Sequence, residues 1–227
     1  MANAMLSLGL KVRYVGALGH PAIQPVFEEF AKKTEAVSLT EPGITTALEF
    51  KDGKLMFGNT RSLEEIDFAR IMQCCEEGKF LEMMANADVV SIVNWTMIPK
   101  MTSILVELVD RVLPNLPPRD TRSFFFDLTD PAKRSKDDIF EVLQVISRFQ
   151  AHAEATLGLN YNEALQVCET LGLNGGDKDE ESLKRIAKEL RRTLDISCVV
   201  VHPIESAACA TRDGEWWSEG PFTENPK

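Results

Sequence analysis

Apolar positions change their spacing several times along the chain, and each change predicts an element. Met1, Ala4, Met5 and Leu8 recur at helical spacing and end at Gly9, the pattern of a helix in its last turns. Lys11–Gly16 has the form of a short strand. After the His20-Pro21 break, Ile23–Thr34 places Val26, Phe27, Phe30 and Ala31 on one side of a helix. Three β-prone pieces follow at 37–39, 45–50 and 55–58, joined by Pro42-Gly43 and by the hairpin signal Lys51-Asp52-Gly53-Lys54. Leu48 and Phe50 alternate there with Ala47 and Glu49, so one face is apolar and needs cover. A hairpin set between helices predicts a projecting flap over 37–59.

From Ser62 onward strands and helices alternate. Ser62-x-x-Glu65 has the form of a capping box ahead of a helical region that reaches Asn86. Strands are predicted over 88–93, 123–127, 155–159 and 196–202, and helices over 97–112, 161–171 and 181–194. Ser135 caps a further helix whose stripe is Ile139, Val142, Leu143, Ile146 and Phe149. A hairpin through Ala207–Arg212 and Asp213-Gly214 comes next, and the last dozen residues show no period. Strands alternating with helices imply right-handed βαβ units. The predicted fold class is α/β, a doubly wound, mainly parallel sheet with helices on both faces and a small β-hairpin lid. Residues 1–36 and 60–227 form the α/β domain in this reading, and 37–59 form the lid.

The 227 residues are 44% hydrophobic and 26% charged, which is globular usage, and the net charge is −10. An acidic surface repels phosphate backbones, so nucleic acid and anionic membranes are excluded as expected partners. No apolar run reaches the ~18 residues of a membrane span, and Met1–Leu10 lacks a secretory pattern. Five cysteines without metal-like spacing fit reduced thiols and a cytoplasmic location. Gly-x-Gly-x-x-Gly, Gly-x-x-x-x-Gly-Lys-Ser/Thr and Gly-x-Ser-x-Gly do not occur, against dinucleotide, P-loop and hydrolase-elbow chemistry.

Open α/β sheets bind ligands beyond the carboxyl ends of their strands. The residues there are Gly19-His20, Asn94-Trp95, Asp127, Asn160 and His202. Each has a local explanation: Asp127 and Asn160 as caps, Trp95 as core, and His202 as a turn residue before Pro203. Together they mark one cleft. Asn160 and Glu163 sit at the N-cap and N3 positions of a helix, where they satisfy two backbone donors reciprocally. The same helix start, at a strand's carboxyl edge, attracts phosphate, and a carboxylate beside it can hold Mg²⁺ through water.

These residues resemble the ribokinase-like (PfkB-type) carbohydrate kinases, in order and over nearly the whole chain. Leu8–Gly19 is similar to the family's second strand with its leading helix. The Thr45–Gly58 hairpin is similar to the lid that covers the sugar. Phe124–Asp127 with Asp130-Pro131 resembles an Asp-Pro strand end. Leu159–Ala164 carries the Asn-x-x-Glu motif that serves Mg²⁺ and the nucleotide phosphates. The resemblance implies transfer of a phosphoryl group from ATP, with ADP as the other possible donor, to an alcohol of a sugar or nucleoside. It implies Asn160, Glu163, His202, Glu205 and Asp127 on the nucleotide and Mg²⁺ side, with Glu163 toward the metal. It implies Asn94, Trp95, Thr45, Thr46 and Glu49 on the acceptor side, and a homodimer through the lid.

Three departures accompany the resemblance. The family's first strand, with its substrate-binding Asp and Gly-Gly-Asn segment, has no counterpart in this chain. Its Gly-Ala-Gly-Asp segment, whose Asp activates the sugar hydroxyl, is expected beyond Lys227, so no catalytic base is assigned. His202-Pro203-Ile204-Glu205-Ser206 replaces the usual Thr-x-Gly turn. The chain is therefore expected to be an interior piece of a kinase that is inactive by itself. The alternatives are a non-catalytic sugar- or nucleotide-binding domain and an oligomerisation module built on the lid.

Overall fold

The computed structural model describes residues 1–220. Residues 221–227, most of the aperiodic end of the chain, lie outside the described residues. Two compact units form, Met1–Asn86 with Met97–Ile104, and Ala87–Thr96 with Leu105–Lys227. Residues 13–16 pair with 35–38 in a small sheet of their own within the first unit.

In the first unit, α1 (Ala2–Ser7) precedes β1 (Arg13–Gly16), and α2 (Glu28–Lys33) leads to β2 (Glu35–Ser38). β1 and β2 pair in parallel, from Arg13↔Glu35 to Gly16↔Ser38, so residues 37–38 belong to β2 and not to the flap. The helix is shorter than predicted because Gln24 is extended ahead of Pro25, as a residue before proline prefers. Gly19 follows β1 with φ +114, and a Cβ there would stand 2.5 Å from the Ala22 carbonyl oxygen. Glycine is the residue that fits that turn.

β3 (Ile44–Phe50) and β4 (Gly53–Asn59) form an antiparallel hairpin around Lys51-Asp52, as the turn residues predict. α3 (Phe68–Cys75) and α4 (Glu77–Asn86) follow. Here the predicted capping box is corrected. Residues Arg61–Glu65 form a 3-10 turn with no side-chain cap, and Asp67 caps α3 by accepting the Arg70 N–H at 2.9 Å. Asp67 also pairs with Lys100 at 2.9 Å, and these partners hold its carboxyl below the usual carboxylate range. A charged cap facing both a lysine and a helix dipole outcompetes a neutral serine five residues earlier. Glu76, at φ 57, separates α3 from α4.

The second unit contains β5 (Val89–Ile92), the end of α5 (Met101–Glu107, whose residues 101–104 fall in the first unit), β6 (Ser123–Asp127), α6 (Lys136–Phe149), β7 (Glu154–Asn160), α7 (Tyr161–Thr170), α8 (Glu180–Leu194), β8 (Cys198–His202), β9 (Ser206–Ala210) and β10 (Glu215–Glu219). α5 continues into a π-helical turn, Leu108–Val112. Strand order is β10-β9-β8-β7-β6-β5, with β5 to β8 parallel and β9 and β10 antiparallel. β10 corrects the aperiodic reading of its segment. A tight turn, with Thr211 N–H donating to the Gly214 carbonyl at 2.9 Å, returns the chain along β9.

Because the parallel strands run in sequence order, right-handed crossovers place successive helices on one face. α6, α7 and α8 pack there on β7 to β10. Phe124, Phe126, Leu157, Leu159, Val199 and Val201 are buried on that side. Phe149 meets Phe124 and Phe126 edge-on at 4.9 and 5.0 Å. The opposite face carries Phe125, Thr156, Cys198 and Val200, all half-buried. Gly158 lets the Phe125 ring lie across its strand, since a Cβ there would stand 2.7 Å from that ring. The mainly parallel α/β architecture is as the sequence predicts, and the described helices of this unit that pack on its sheet supply one covering layer.

Candidate active site

Where β7 ends, the chain turns directly into α7. Asn160 caps the helix: its side-chain oxygen accepts the Glu163 N–H at 3.0 Å, and Glu163 Oε2 accepts the Asn160 N–H at 2.8 Å. This is the predicted reciprocal box. Glu163 Oε1 also accepts the Asp130 N–H at 2.9 Å, so the buried carboxylate ties the end of β6 to the end of β7. The backbone N–H groups of Asn160, Glu163 and Asp130 are thus taken, and the field of the helix start remains. Tyr161 extends the arrangement: its hydroxyl donates to the Gly176 carbonyl at 2.6 Å, and the Lys178 ammonium lies 5.1 Å from its ring centre.

At the end of β6, Asp127 is half-buried and its Oδ1 accepts the Thr129 hydroxyl at 2.9 Å. The same hydroxyl lies 3.3 Å from Asn94 Oδ1, at the end of β5. Asn94, Thr129 and Asp130 have φ of 64, 60 and 54. Left-handed backbone at non-glycine residues costs about 1–3 kcal/mol each and collects at functional sites. Two hydrogen-bonded sets, Asn94–Thr129–Asp127 and Asp130–Glu163–Asn160, linked through the Thr129-Asp130 peptide, therefore connect three adjacent strand ends.

The other expected residues divide. Trp95 is 2% exposed, so it presents no surface to a ligand. Arg134 lies 5.1 Å over its ring and donates to the Trp95 and Thr96 carbonyls, which makes it a core support beneath the rim. His202 is Asn160's neighbour on β8 and is exposed. Glu205 is exposed beyond it, and its carbonyl accepts the Gly220 N–H. Thr45, Thr46 and Glu49 are exposed on β3, in the first unit. They do not share a face: Thr46 sits with Ile44, Leu48, Phe50, Leu55 and Phe57, while Thr45 and Glu49 sit with Met56 and Lys54.

Sequence reasoning missed Thr129, and took Asp130 only as part of an Asp-Pro strand end. The only signal was the pair Leu128-Thr129 set between Asp127 and Asp130-Pro131, and a residue before proline ordinarily avoids helical backbone. A cavity of ≈ 340 Å³ in the first unit lies beside Arg13 and Glu35, where β1 and β2 begin. That is the end opposite to the one at which such sheets bind ligands.

Among the described residues no group of three or more His, Cys, Asp or Glu could hold a metal. The rim offers the half-buried carboxylate of Asp127 beside the buried Glu163, whose oxygens each accept one backbone N–H. Such a donor set fits Mg²⁺ carried by nucleotide phosphates and water, not a protein cage.

The family model described as prokaryotic ketohexokinase matches residues 1–227. The chain belongs to the prokaryotic ketohexokinase family. A ketohexokinase from Haloferax volcanii is 26% identical over 228 residues, which cover 100% of this chain and 58% of that relative. The chain thus spans little more than half the length of the curated relative it matches. A mutant of phosphofructokinase-2 from Escherichia coli superposes with a TM-score of 0.63 at 13% identity, over 98% of this chain and 66% of that one. Adenosine kinase from Anopheles gambiae, in complex with a di(adenosine) tetraphosphate, gives 0.59 at 14% identity, over 93% of this chain and 60% of that one. The resemblance to ribokinase-like carbohydrate kinases holds in family and in fold. No helix among the described residues is long and apolar enough to cross a membrane.

Proposed function

We propose that the protein is a cytoplasmic ketohexose kinase that transfers the γ-phosphoryl group of ATP to an alcohol of the sugar. The observation that carries this reading is the network joining three strand ends at the carboxyl edge of the parallel sheet. Membership of the ketohexokinase family supports the acceptor class, and the adenosine compound bound to the mosquito enzyme supports an adenine nucleotide as donor.

In-line phosphoryl transfer depends on alignment and on balancing charge at the phosphoryl oxygens. Asp127 faces the nucleotide and would hold Mg²⁺, which supplies positive charge at the phosphates when bound. Glu163, whose oxygens each accept a backbone N–H, would help hold that metal through water. Asn160 fixes the helix whose dipole faces the phosphates, His202 and Glu205 border the nucleotide, and Asn94 takes the acceptor. Calorimetry of the chain with Mg²⁺-ATP and with d-fructose is the test: both should bind, and Asp127→Asn should weaken Mg²⁺-ATP about tenfold. No binding of either compound would refute the reading.

The hairpin supports a homodimer as well. Ile44, Leu48, Phe50, Leu55 and Phe57 are all exposed on one face, more apolar surface than a lone hairpin ordinarily leaves in water. Sedimentation should report a dimer that Leu48→Lys with Phe57→Lys converts to a monomer. An unchanged sedimentation coefficient would exclude the hairpin as the interface.

A further inference from the structure

We propose that Thr129 is a positioning residue that clamps Asn94 to Asp127 and so sets the acceptor and nucleotide sides of the rim relative to each other. The inference rests on the functional reading above, and it concerns a residue that no motif assigns.

Thr129 carries one hydroxyl hydrogen and faces two oxygens, Asp127 Oδ1 at 2.9 Å and Asn94 Oδ1 at 3.3 Å. It can donate to only one of them. The carboxylate is the nearer and the stronger acceptor, because it is charged. The Asn94 amide then meets its own need by rotating half a turn about its last torsion, which exchanges NH₂ and oxygen without changing shape. Its NH₂ donates to Thr129, Thr129 donates to Asp127, and the Asn94 carbonyl oxygen is left facing outward to receive a sugar hydroxyl. The relay thus determines which atom Asn94 offers and which Asp127 oxygen stays available.

The backbone is consistent with a positioning role. Thr129 is β-branched and yet left-handed, with φ 60, and both its partner Asn94 and its neighbour Asp130 share that conformation. β-Branched residues rarely occupy this region. Asp130 is held on the other side by Glu163, so the hydroxyl is delivered from a segment fixed at both ends. A serine would supply the same hydroxyl. A valine would match the shape and remove the donor.

The experiment compares the wild-type chain with Thr129→Val and Thr129→Ser by three readouts: calorimetric affinity for Mg²⁺-ATP and for d-fructose, the side-chain NH₂ signal of Asn94 by NMR, and the thermal midpoint. Thr129→Val should weaken both ligands about tenfold, in line with losing hydrogen bonds to polar partners, one of them charged. Its Asn94 NH₂ signal should move toward the free-amide position, and Thr129→Ser should stay within about threefold of wild type in both affinities. Unchanged affinities and an unchanged Asn94 signal in Thr129→Val overturn the clamp. So does a loss that Thr129→Ser fails to restore while its thermal midpoint equals that of wild type, because the hydroxyl would then be irrelevant. If the wild-type chain binds neither compound but its Asn94 signal responds to Thr129→Val, the clamp stands and the phosphoryl-transfer reading falls.

Discussion

The hairpin β3–β4 and the sheet β5–β10 both turn alternate side chains to opposite faces, with apolar residues on one of them, and they end in opposite circumstances. Every residue of β3 and β4 is exposed, whereas β6 and β8 bury every second residue beneath helices. Alternation therefore specifies that two faces differ. Whether the apolar face is covered depends on what the chain supplies afterwards. Each strand from β5 to β7 is followed by helix, and right-handed winding returns α6, α7 and α8 to one side. The hairpin is followed by a 3-10 turn and by helices that no stripe of its own recruits.

The largest expected contrast is between two phenylalanines. Phe149→Ala should cost about 3–5 kcal/mol in urea unfolding, since its ring fills the space between Phe124 and Phe126. Phe50→Ala, on a side chain 58% exposed, should change stability by no more than about 0.5 kcal/mol. Equal costs would break the comparison. Glu163→Gln comes next, at about 1–3 kcal/mol, because an NH₂ group would face the N–H of Asn160 or of Asp130 in a buried place. A neutral result would mean that the carboxylate does not hold the two strand ends together.

A smaller effect is expected at the cap. Asn160→Ala should cost about 1 kcal/mol, and Asn160→Asp should recover most of it. The smallest effect is with pH. Hydrogen bonds from Ser135 hold the Asp138 carboxyl at the start of α6 below the usual range, and the Ser182 backbone N–H does the same for Asp179 at the start of α8. A lowered native value contributes stability that is present above the unfolded value, about pH 4, and is lost as pH falls through the native one. Thermal midpoints should therefore decline below about pH 4, and less steeply in Asp138→Asn. A profile identical to wild type in that variant would assign the acid sensitivity elsewhere.

The helical stripes are legible in the sequence because burial selects residues that recur every three to four positions. Ile139, Val142, Leu143, Ile146 and Phe149 are buried as their spacing predicts, and the Asn160–Glu163 box forms as its spacing predicts. The box at Ser62 does not form, because residues 61–65 make a 3-10 turn and the α-helix starts only after Asp67, whose charge makes it the stronger cap. β10 escapes a sequence reading because five residues, with two adjacent tryptophans and serine between acids, are too few to show a period. Trp95 points toward a ligand by position alone, and the burial that removes it from the surface comes with Arg134, far along the chain.

Local pattern alone thus determined most of the elements, their order, the parallel pairing they imply and the caps at Ser135 and Asn160, whose partners are three residues on, because all of these depend on neighbours in sequence. The tertiary structure decided which side chains meet at the rim. Asn94, Thr129 and Glu163 are separated by 35 and 34 positions, and the left-handed backbone that aims Thr129 is stable only because contacts from both neighbouring strands hold it there. Such a conformation opposes local preference, so no local rule could have announced it.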